Sequence, residues 1–400
     1  MQANHQLHRL GFNPEQDHCG FTQAVASFIR CNPYFCFTGY IPSSSIKLFT
    51  KSHCLPVFLV QLKAPSLADI VKETTINMKA IFCGILVCII CSFLPAAAQN
   101  IVQQHGHLKV KGTQLCNQKG APVVLRGMSF GWHNFWPRFY NKQAVAWLQQ
   151  DWGCTVVRAA MGVEPRGGYQ QDPAGSVKLV KAVVDGAIAS GIYVIIDWHS
   201  HNINLEEATA FFAQMAQEYG KYPNVIYEIF NEPERQSWEA VKAYSEVVIR
   251  AIRKYDPDNV ILVGSPHWDQ DVHLAADAPL QGFDNLMYTL HFYAATHKQG
   301  LRDRGTYALK KGLPLFISES AGMEATGNGP LNEEEWLNWI QWAEDNKVSW
   351  ITWSVSDKDE TCSVLLSSAA SEGGWQDTDL KESGKKARAL LRKYNLKQGQ

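Results

Sequence analysis

Between residues 123 and 353, short apolar runs alternate with stretches in which apolar residues return every three or four positions. The runs cover 123–128, 155–160, 193–198, 225–231, 260–264, 286–291, 315–319 and 350–353. They are rich in Val, Ile and Leu and too short for helices, which is the pattern of strands covered on both faces in a parallel sheet. Between them, Val145, Leu148 and Trp152 share a helical face, and so do Val177, Val180, Val184 and Ile188. Phe211, Phe212, Met215 and Tyr219 form the next face, then Val241, Ser245, Val248 and Ile252. Asn332 with Glu335 predicts a capping box ahead of a helix that buries Trp336, Trp339, Ile340 and Ala343. The fifth and sixth connections carry weaker patterns, with short helices near 272–277 and 306–311, and a last helix covers about 384–394. Eight strands alternating with helices predict an α/β fold, a (β/α)8 TIM barrel in a single domain. A doubly wound open sheet is the alternative, but no glycine-rich dinucleotide turn supports it. Ahead of the barrel, 108–110 and 123–125 flank the polar stretch 116–120 and predict an N-terminal β-hairpin leading into the first core strand.

The upstream part reads differently. Residues 1–77 show no periodicity and no motif. Met78-Lys79 then puts one positive charge before the apolar stretch 80–94, and Pro95-Ala-Ala-Ala98 supplies small residues before Gln99. That order predicts a secretory signal peptide over 78–98, cleaved after Ala98. Its apolar stretch is short for a membrane span and lacks a basic flank, so no stable membrane association is expected. The internal position is explained if translation starts at Met78 and 1–77 is an extension that is not translated. The competing reading is an uncleaved signal-anchor behind that extension. Residues 99–400 are then the folded domain of a secreted monomer.

With 46% hydrophobic and 19% charged residues, the chain can bury a large core, and its net charge of −1 with no long single-sign run gives no nucleic-acid surface. All thirteen tryptophans follow residue 130. Core packing is the ordinary use of such residues, but aromatic rings also pack on the apolar faces of sugars. Cys116, Cys154 and Cys362 are the cysteines of the main body, and an odd number permits at most one bridge. Cys88 and Cys91 form an unaccompanied CxxC in apolar surroundings, which does not suit a metal.

A barrel places its chemistry at strand C-terminal ends, and here those ends are polar. The second run carries Arg158, the third ends Asp197-Trp198-His199, and the fourth ends Asn231-Glu232 before Pro233. The sixth ends His291-Phe292-Tyr293, the seventh at Glu319 and the eighth at Trp353. Two carboxyls suit hydrolysis of a glycosidic bond, because one must protonate the leaving oxygen while the other attacks the anomeric carbon or activates water. Arg158 beside Glu319 would hold it anionic as the nucleophile. Glu232, with Asn231 next to it for a sugar 2-hydroxyl, would be the acid and then the base. Tyr293 would donate to the nucleophile, with His199 and His291 tuning the network. Glu228 falls on the same side as Glu232 but deeper, as a paired interior carboxylate. The competing readings are a purely structural salt bridge for Arg158 and a metal site at Asp197-x-His199-x-His201.

The stretch from about Gly106 to Leu391 resembles glycoside hydrolase family 5, in its endo-β-1,4-glucanase (cellulase) branch. The residues that carry the resemblance are Leu125-Arg-Gly-Met-Ser129, Val157-Arg-Ala-Ala160, Val194-Ile-Ile-Asp-Trp-His199, Val225 to Pro233, Leu290-His-Phe-Tyr-Ala294, Ile317-Ser-Glu319 and Trp353-Ser-Val-Ser-Asp-Lys358. It implies a retaining double displacement, with Glu232 as acid/base and Glu319 as nucleophile, and carboxyl groups ~5–5.5 Å apart. It also implies that Arg158, His199, Asn231, His291 and Tyr293 surround them, that Trp353 is a sugar platform, and that Lys358 contacts a sugar hydroxyl. Trp136 and Trp268 are further platform candidates. Two features depart from the family pattern: Ser320 follows the nucleophile where many relatives have an aromatic residue, and Phe130 stands where many have a histidine, with His133 displaced. The expected substrate is an internal β-1,4-glucan linkage, with no metal or organic cofactor. A mannanase or xyloglucanase on the same scaffold and a non-catalytic sugar-binding barrel are the alternatives.

Overall fold

The computed structural model describes residues 100–396, together with Ser66 and Ala68. The signal peptide read at 78–98 lies outside the described residues, as does all but those two positions of the 1–77 extension. After a one-turn helix α1 (Ile101–His105), a hairpin of β1 (Lys109–Lys111) and β2 (Gln114–Cys116) precedes the barrel. Its arms pair antiparallel around Gly112-Thr113, a tighter register than the sequence suggested. Val123 instead bonds Leu115 O from beyond the second arm, at 2.8 Å.

The barrel strands are β3 (Arg126–Phe130), β4 (Val156–Gly162), β5 (Tyr193–His199), β6 (Val225–Glu228), β7 (Ile261–Val263), β8 (Leu286–Thr289), β10 (Leu315–Phe316) and β12 (Trp350–Val355). All their pairings are parallel, each strand lying beside its neighbours in sequence. A parallel bridge from Ile317 to Trp350 joins the last two and closes the barrel. A small parallel pair, β9 (Phe292–Tyr293) with β11 (Ser320–Ala321), sits beyond the ends of β8 and β10. The principal outer helices are α2 (Lys142–Gln150), α3 (Pro173–Ser190), α4 (Leu205–Tyr219), α5 (Trp238–Arg253), α7 (Val272–Asp277), α8 (Gln299–Lys310), α9 (Glu333–Asp345) and α10 (Glu382–Asn395), and a four-residue turn, α6 (Pro266–Asp269), stands between β7 and α7. Among the described residues, no helix is long and apolar enough to cross a membrane.

Local chemistry accounts for most boundaries. Asn141, Asp172, Ser237 and Asn332 each cap a helix by accepting a backbone N–H three residues on. The box expected at Asn332 is only half made, since the Glu335 carboxylate turns to Arg302. Helix α8 starts seven residues earlier than its apolar pattern suggested, because polar residues and glycine surround Leu301 in its first two turns, although Leu301 and Arg302 are buried there.

Alternation along the strands produces two cores. Outward residues such as Val157, Val194, Ile196, Tyr227 and Ile261 pack against the helices. Inward residues near the strand beginnings, Val156, Ile195, Ile226, Leu262, Met287, Phe316 and Ile351, form a separate apolar floor. Val102, Leu108 and Leu115 close that floor from below, so α1 and the hairpin plug the barrel. Two residues further along, the inward positions become Arg158, Asp197, Glu228 and Thr289. The change from apolar to charged inside the same strands is what raises a polar site above a dry floor.

Close strand contact makes one glycine obligatory. A Cβ on Gly127 in β3 would stand 1.7 Å from the carbonyl oxygen of Val156. That oxygen belongs to the neighbouring strand's backbone and cannot retreat without opening the ladder. Gly127→Ala is expected to cost about 3 kcal/mol or more in urea unfolding; a loss below about 1 kcal/mol would mean that β3 and β4 are not held in this register.

Candidate active site

The strand carrying Asn231 and Glu232 ends its ladder at Glu228, three residues short of the apolar run. The chain nevertheless continues between its neighbours: Ile229 N–H bonds Leu262 O at 3.1 Å, Asn231 N–H bonds Trp198 O at 3.1 Å, and Glu232 N–H bonds Ser200 O at 3.2 Å. Pro233 has no N–H to continue the series. Glu232 thus leaves the barrel top on a backbone held from both sides.

Arg158 rises from β4 fully buried. Its Nε and Nη2 bond Glu228 at 2.7 and 3.2 Å, Nη1 bonds Glu319 Oε2 at 3.0 Å, and Nη2 reaches Asn231 Oδ1 at 2.6 Å and Asp197 Oδ2 at 3.0 Å. Glu319 accepts a second bond at Oε1 from the Tyr293 hydroxyl, at 2.6 Å. Glu232 Oε1 meets His291 Nδ1 at 2.9 Å, and His201 Nδ1 lies 3.7 Å from the other oxygen. An oxygen of Glu232, an oxygen of Glu319 and a ring nitrogen of His291 all fall within 4.8 Å of one another. Asn231, its oxygen fixed by Arg158, leaves its buried Nδ2 with no hydrogen-bond partner among the described residues.

These groups line or underlie a cleft of about 1010 Å³. His199, Glu232, His291, Tyr293, Glu319, Trp353, Lys358, Trp136 and Trp268 form part of its wall, while Arg158 and Asn231 lie just behind it. His199 is stacked flat on Trp353, with centroids 5.1 Å apart and planes 3° from parallel, and its Nδ1 bonds Asp197 at 2.7 Å. Lys358 stands at the rim, ion-paired with Glu360. Trp132, Phe135, His201, Gln270, His297 and Glu360 also reach the cleft and were not singled out as sugar-contacting residues from the sequence. The dense aromatic segment 130–136 was a signal for the first two; His201 was weighed only in the spacing of a metal site, and the others sit in loops without a pattern.

Two sequence expectations receive a physical account. His133 is a structural residue: its Nε2 meets Ser176 Oγ at 2.8 Å and its Nδ1 accepts Gly162 N–H at 3.0 Å. Burial pushes its pKa down to about 4, so it is a neutral imidazole. Phe130 packs in the core against Tyr140. Asp197, His199 and His201 do not form a compact ligand set; among the described residues the compact acid–histidine groups are Glu228/Asp269/His291 and Glu232/His291/Glu319. His291 is the member common to both, 2.9 Å from Glu232 in one and 3.3 Å from Asp269 in the other. Cys116, Cys154 and Cys362 are three buried free thiols.

The electrostatics follow from crowding. Asp197, Glu228, Asp269 and Glu319 are buried around Arg158 and His291, with Glu232 at the cleft face. Burial raises Asp197 and Asp269 well above ordinary carboxylates. Burial also opposes ionisation of Glu228, but Arg158 and then His291 outweigh it and hold this group down at about 2. Burial first, and the neighbouring Glu232 second, raise Glu319. For Glu232 burial is again the largest influence, but His291, by hydrogen bond and charge, overcomes it and draws the group down. In this arrangement the pair's polarity runs opposite to the roles assigned from sequence. Two carboxyls this close are costly to ionise together, which is why Glu232 is among the causes that raise Glu319.

A closed parallel barrel with paired carboxyls, an arginine–tyrosine clamp on one of them and an aromatic cleft defines a glycoside-hydrolase type of site. The cellulase model, glycosyl hydrolase family 5, matches residues 116–359, and the chain belongs to that family. It is 43% identical over 286 residues to an endoglucanase of Clostridium saccharobutylicum, covering 70% of this chain and 63% of that protein. Endoglucanase Z of Dickeya dadantii is 42% identical over 297 residues, covering 73% of this chain and 68% of that one. The catalytic domain of Thermobifida fusca endoglucanase Cel5A superposes with a TM-score of 0.70 at 34% identity, covering 73% of this chain and 99% of that chain. A variant of that domain in complex with cellotetraose gives a TM-score of 0.69. The chain therefore spans less than two thirds of the first of these relatives and nearly all of the solved catalytic domain.

Glu228 supplies a direct test of the charge balance. Its folded pKa lies below its ordinary value of 4.5, so its stabilising contribution is present above pH 4.5 and is lost as pH falls towards about 2. Glu228→Gln should cost about 3–5 kcal/mol at pH 7, because it breaks a fully buried pair. The gap between variant and wild type should close between pH 4.5 and about 2 in denaturant melts. A gap independent of pH would show that Glu228 is not the ionised partner of Arg158.

Proposed function

We propose that residues 99–400 form the catalytic domain of an exported, monomeric endo-β-1,4-glucanase that cleaves internal linkages of cellulose and related β-glucans with retention. The observation that carries this reading is the approach of Glu232 and Glu319 oxygens to within 4.8 Å, at the mouth of an aromatic cleft in a family 5 barrel. An inverting pair needs ~6.5–9.5 Å between its carboxyl groups to seat a water, whereas retaining pairs stand ~5–5.5 Å apart. The relatives named endoglucanase and the cellotetraose complex of the Thermobifida fusca domain support a β-glucan substrate. Export rests on the pattern at 78–98.

In this reading a glucan lies along the cleft with sugar faces on Trp353 and further contacts from Trp136, Trp268 and Lys358. Arg158 and Tyr293 hold Glu319 as the anion while the leaving oxygen is offered to Glu232, so the productive complex carries the pair's proton on Glu232. Glu319 attacks the anomeric carbon, the C–O bond to the leaving sugar breaks, and Glu232 protonates the departing oxygen. Water, deprotonated by Glu232, then cleaves the glycosyl ester and restores both groups. Asn231 offers its unpartnered Nδ2 to the sugar 2-hydroxyl, where the bond strengthens as positive charge develops at the ring.

The test uses protein beginning at Gln99 on carboxymethylcellulose, following viscosity and new reducing ends together. A fast viscosity drop with few new ends is expected. Glu319→Gln should abolish activity on every substrate. Glu232→Gln should lower turnover of the polymer about 10²–10⁴-fold but spare the first step on an aryl glycoside whose leaving group needs no proton. Turnover of mannan or xyloglucan with none of carboxymethylcellulose would move the substrate, and silence on all three would overturn the enzyme reading.

A further inference from the structure

His291 joins the acid/base carboxyl to a residue that neither the sequence pattern nor the cleft wall reveals. One face of its ring meets Glu232, with Nδ1 2.9 Å from Oε1. The other nitrogen, Nε2, lies 2.9 Å from Ser318 Oγ, 3.3 Å from Asp269 Oδ2 and 3.7 Å from Glu228 Oε1. Of these acids, Glu228 is already committed to Arg158 through both its oxygens. Asp269 has no such cation. Its Oδ1 accepts Ser265 N–H at 2.6 Å, its Oδ2 bonds Thr289 Oγ at 2.6 Å, and its own carbonyl receives His291 N–H at 3.4 Å.

The backbone that delivers Asp269 is unusual. His267, Trp268 and Asp269 are consecutive non-glycine residues in the left-handed region, at φ of 60°, 55° and 58°. Such backbone is strained for residues that carry a Cβ. This turn sends Trp268 to the cleft wall and Asp269 inward, fully buried, beneath His291.

We propose that Asp269 is a positioning residue for the reaction: through His291 it retains the proton that Glu232 must deliver. The proposal rests on the glucanase reading of the same site. The hydrogen bond between His291 Nδ1 and Glu232 Oε1 contains one proton, which rests on either atom without changing the charge of the pair. Burial opposes ionisation of Asp269, but the His291 charge, the Thr289 hydroxyl and the Ser265 N–H all favour its anion, and negative charge at the far side of the ring resists removal of that proton altogether. The other charged or titratable groups facing His291 and Glu232 are Glu228 from β6, Arg158 from β4, Asp197 and His199 from β5, His201 after β5, Tyr293 from β9, His297 after β9 and Glu319 after β10. Burial keeps His297 neutral, with its pKa lowered to about 4. Burial disfavours a charged His291, yet Asp269, Glu228 and Glu232 together raise it well above its ordinary value.

The test is the pH profile of kcat/KM for Asp269→Asn, a change that keeps the side-chain shape. The basic limb should move to lower pH by about one unit or more, since an anion this near shifts a partner by ~1–3 units. Activity below the limb should persist. A uniform fall with an unmoved limb would mean that Asp269 only shapes the turn, and would overturn the proposal. A readout on the unaltered protein guards against misfolding of the variant: ring-15N NMR should find His291 still doubly protonated well above its ordinary 6.5. A ring that titrates near 6.5 would overturn the proposal even in an active enzyme, whereas a wild type inactive on all glucans would instead remove the activity reading.

Discussion

A single buried guanidinium holds the top of this barrel together. Arg158 contacts groups delivered by β3, β5, β6, the segment that follows β6 and the segment that follows β10, and among the described residues it is the one arginine paired with Asp197, Glu228 and Glu319. Its charge is costly to bury, and so is each of theirs. Neither side is tolerable without the other, and only a closed ring of parallel strands brings them to one level. The same contact also shapes the chemistry. It fixes Asn231 through its oxygen, so that the amide nitrogen is the end left unpartnered, and it supplies one of the two donors that Glu319 needs as an anion.

How much of this was legible in the sequence depended on periodicity. Strand ends are readable because an inward residue at one position fixes which of its neighbours two and four places on also face inward. Arg158, Asp197, Glu228 and Glu319 were therefore found by alternation and by their breaking of apolar runs. The hairpin register was not, because Val123 and Leu125 are as apolar as an arm yet serve the floor of the barrel. Asp269 had no signal of its own. It lies in a four-residue helical turn between strands, and its role comes from a left-handed backbone that carries no periodic mark. The loop residues His297 and Gln270 escaped for the same reason, since a loop's direction is set by what it packs on, and His201 was noticed only for the spacing of a metal site.

The pair of glutamates shows where residue identity ceases to determine behaviour. Family pattern and neighbours assign one carboxyl to attack and the other to give a proton. In the folded protein the proton's place is decided by balance among several buried charges, with Arg158 and Tyr293 acting on one side and His291 on the other. Roles of this kind belong to the assembly and to the sugar that enters it, so a substitution well below the cleft can reach the chemistry without touching substrate.

The plugged floor has a consequence for how such a chain can change over generations. Among the described residues, none of those forming the apolar floor also lines the cleft. Inheritance of a stable fold and exploration of new sugars are thus written in different letters of the same strands. A lineage can rewrite its loops and rim while the lower half passes unchanged to descendants, which is a structural route by which one barrel gives rise to a family with divergent tastes.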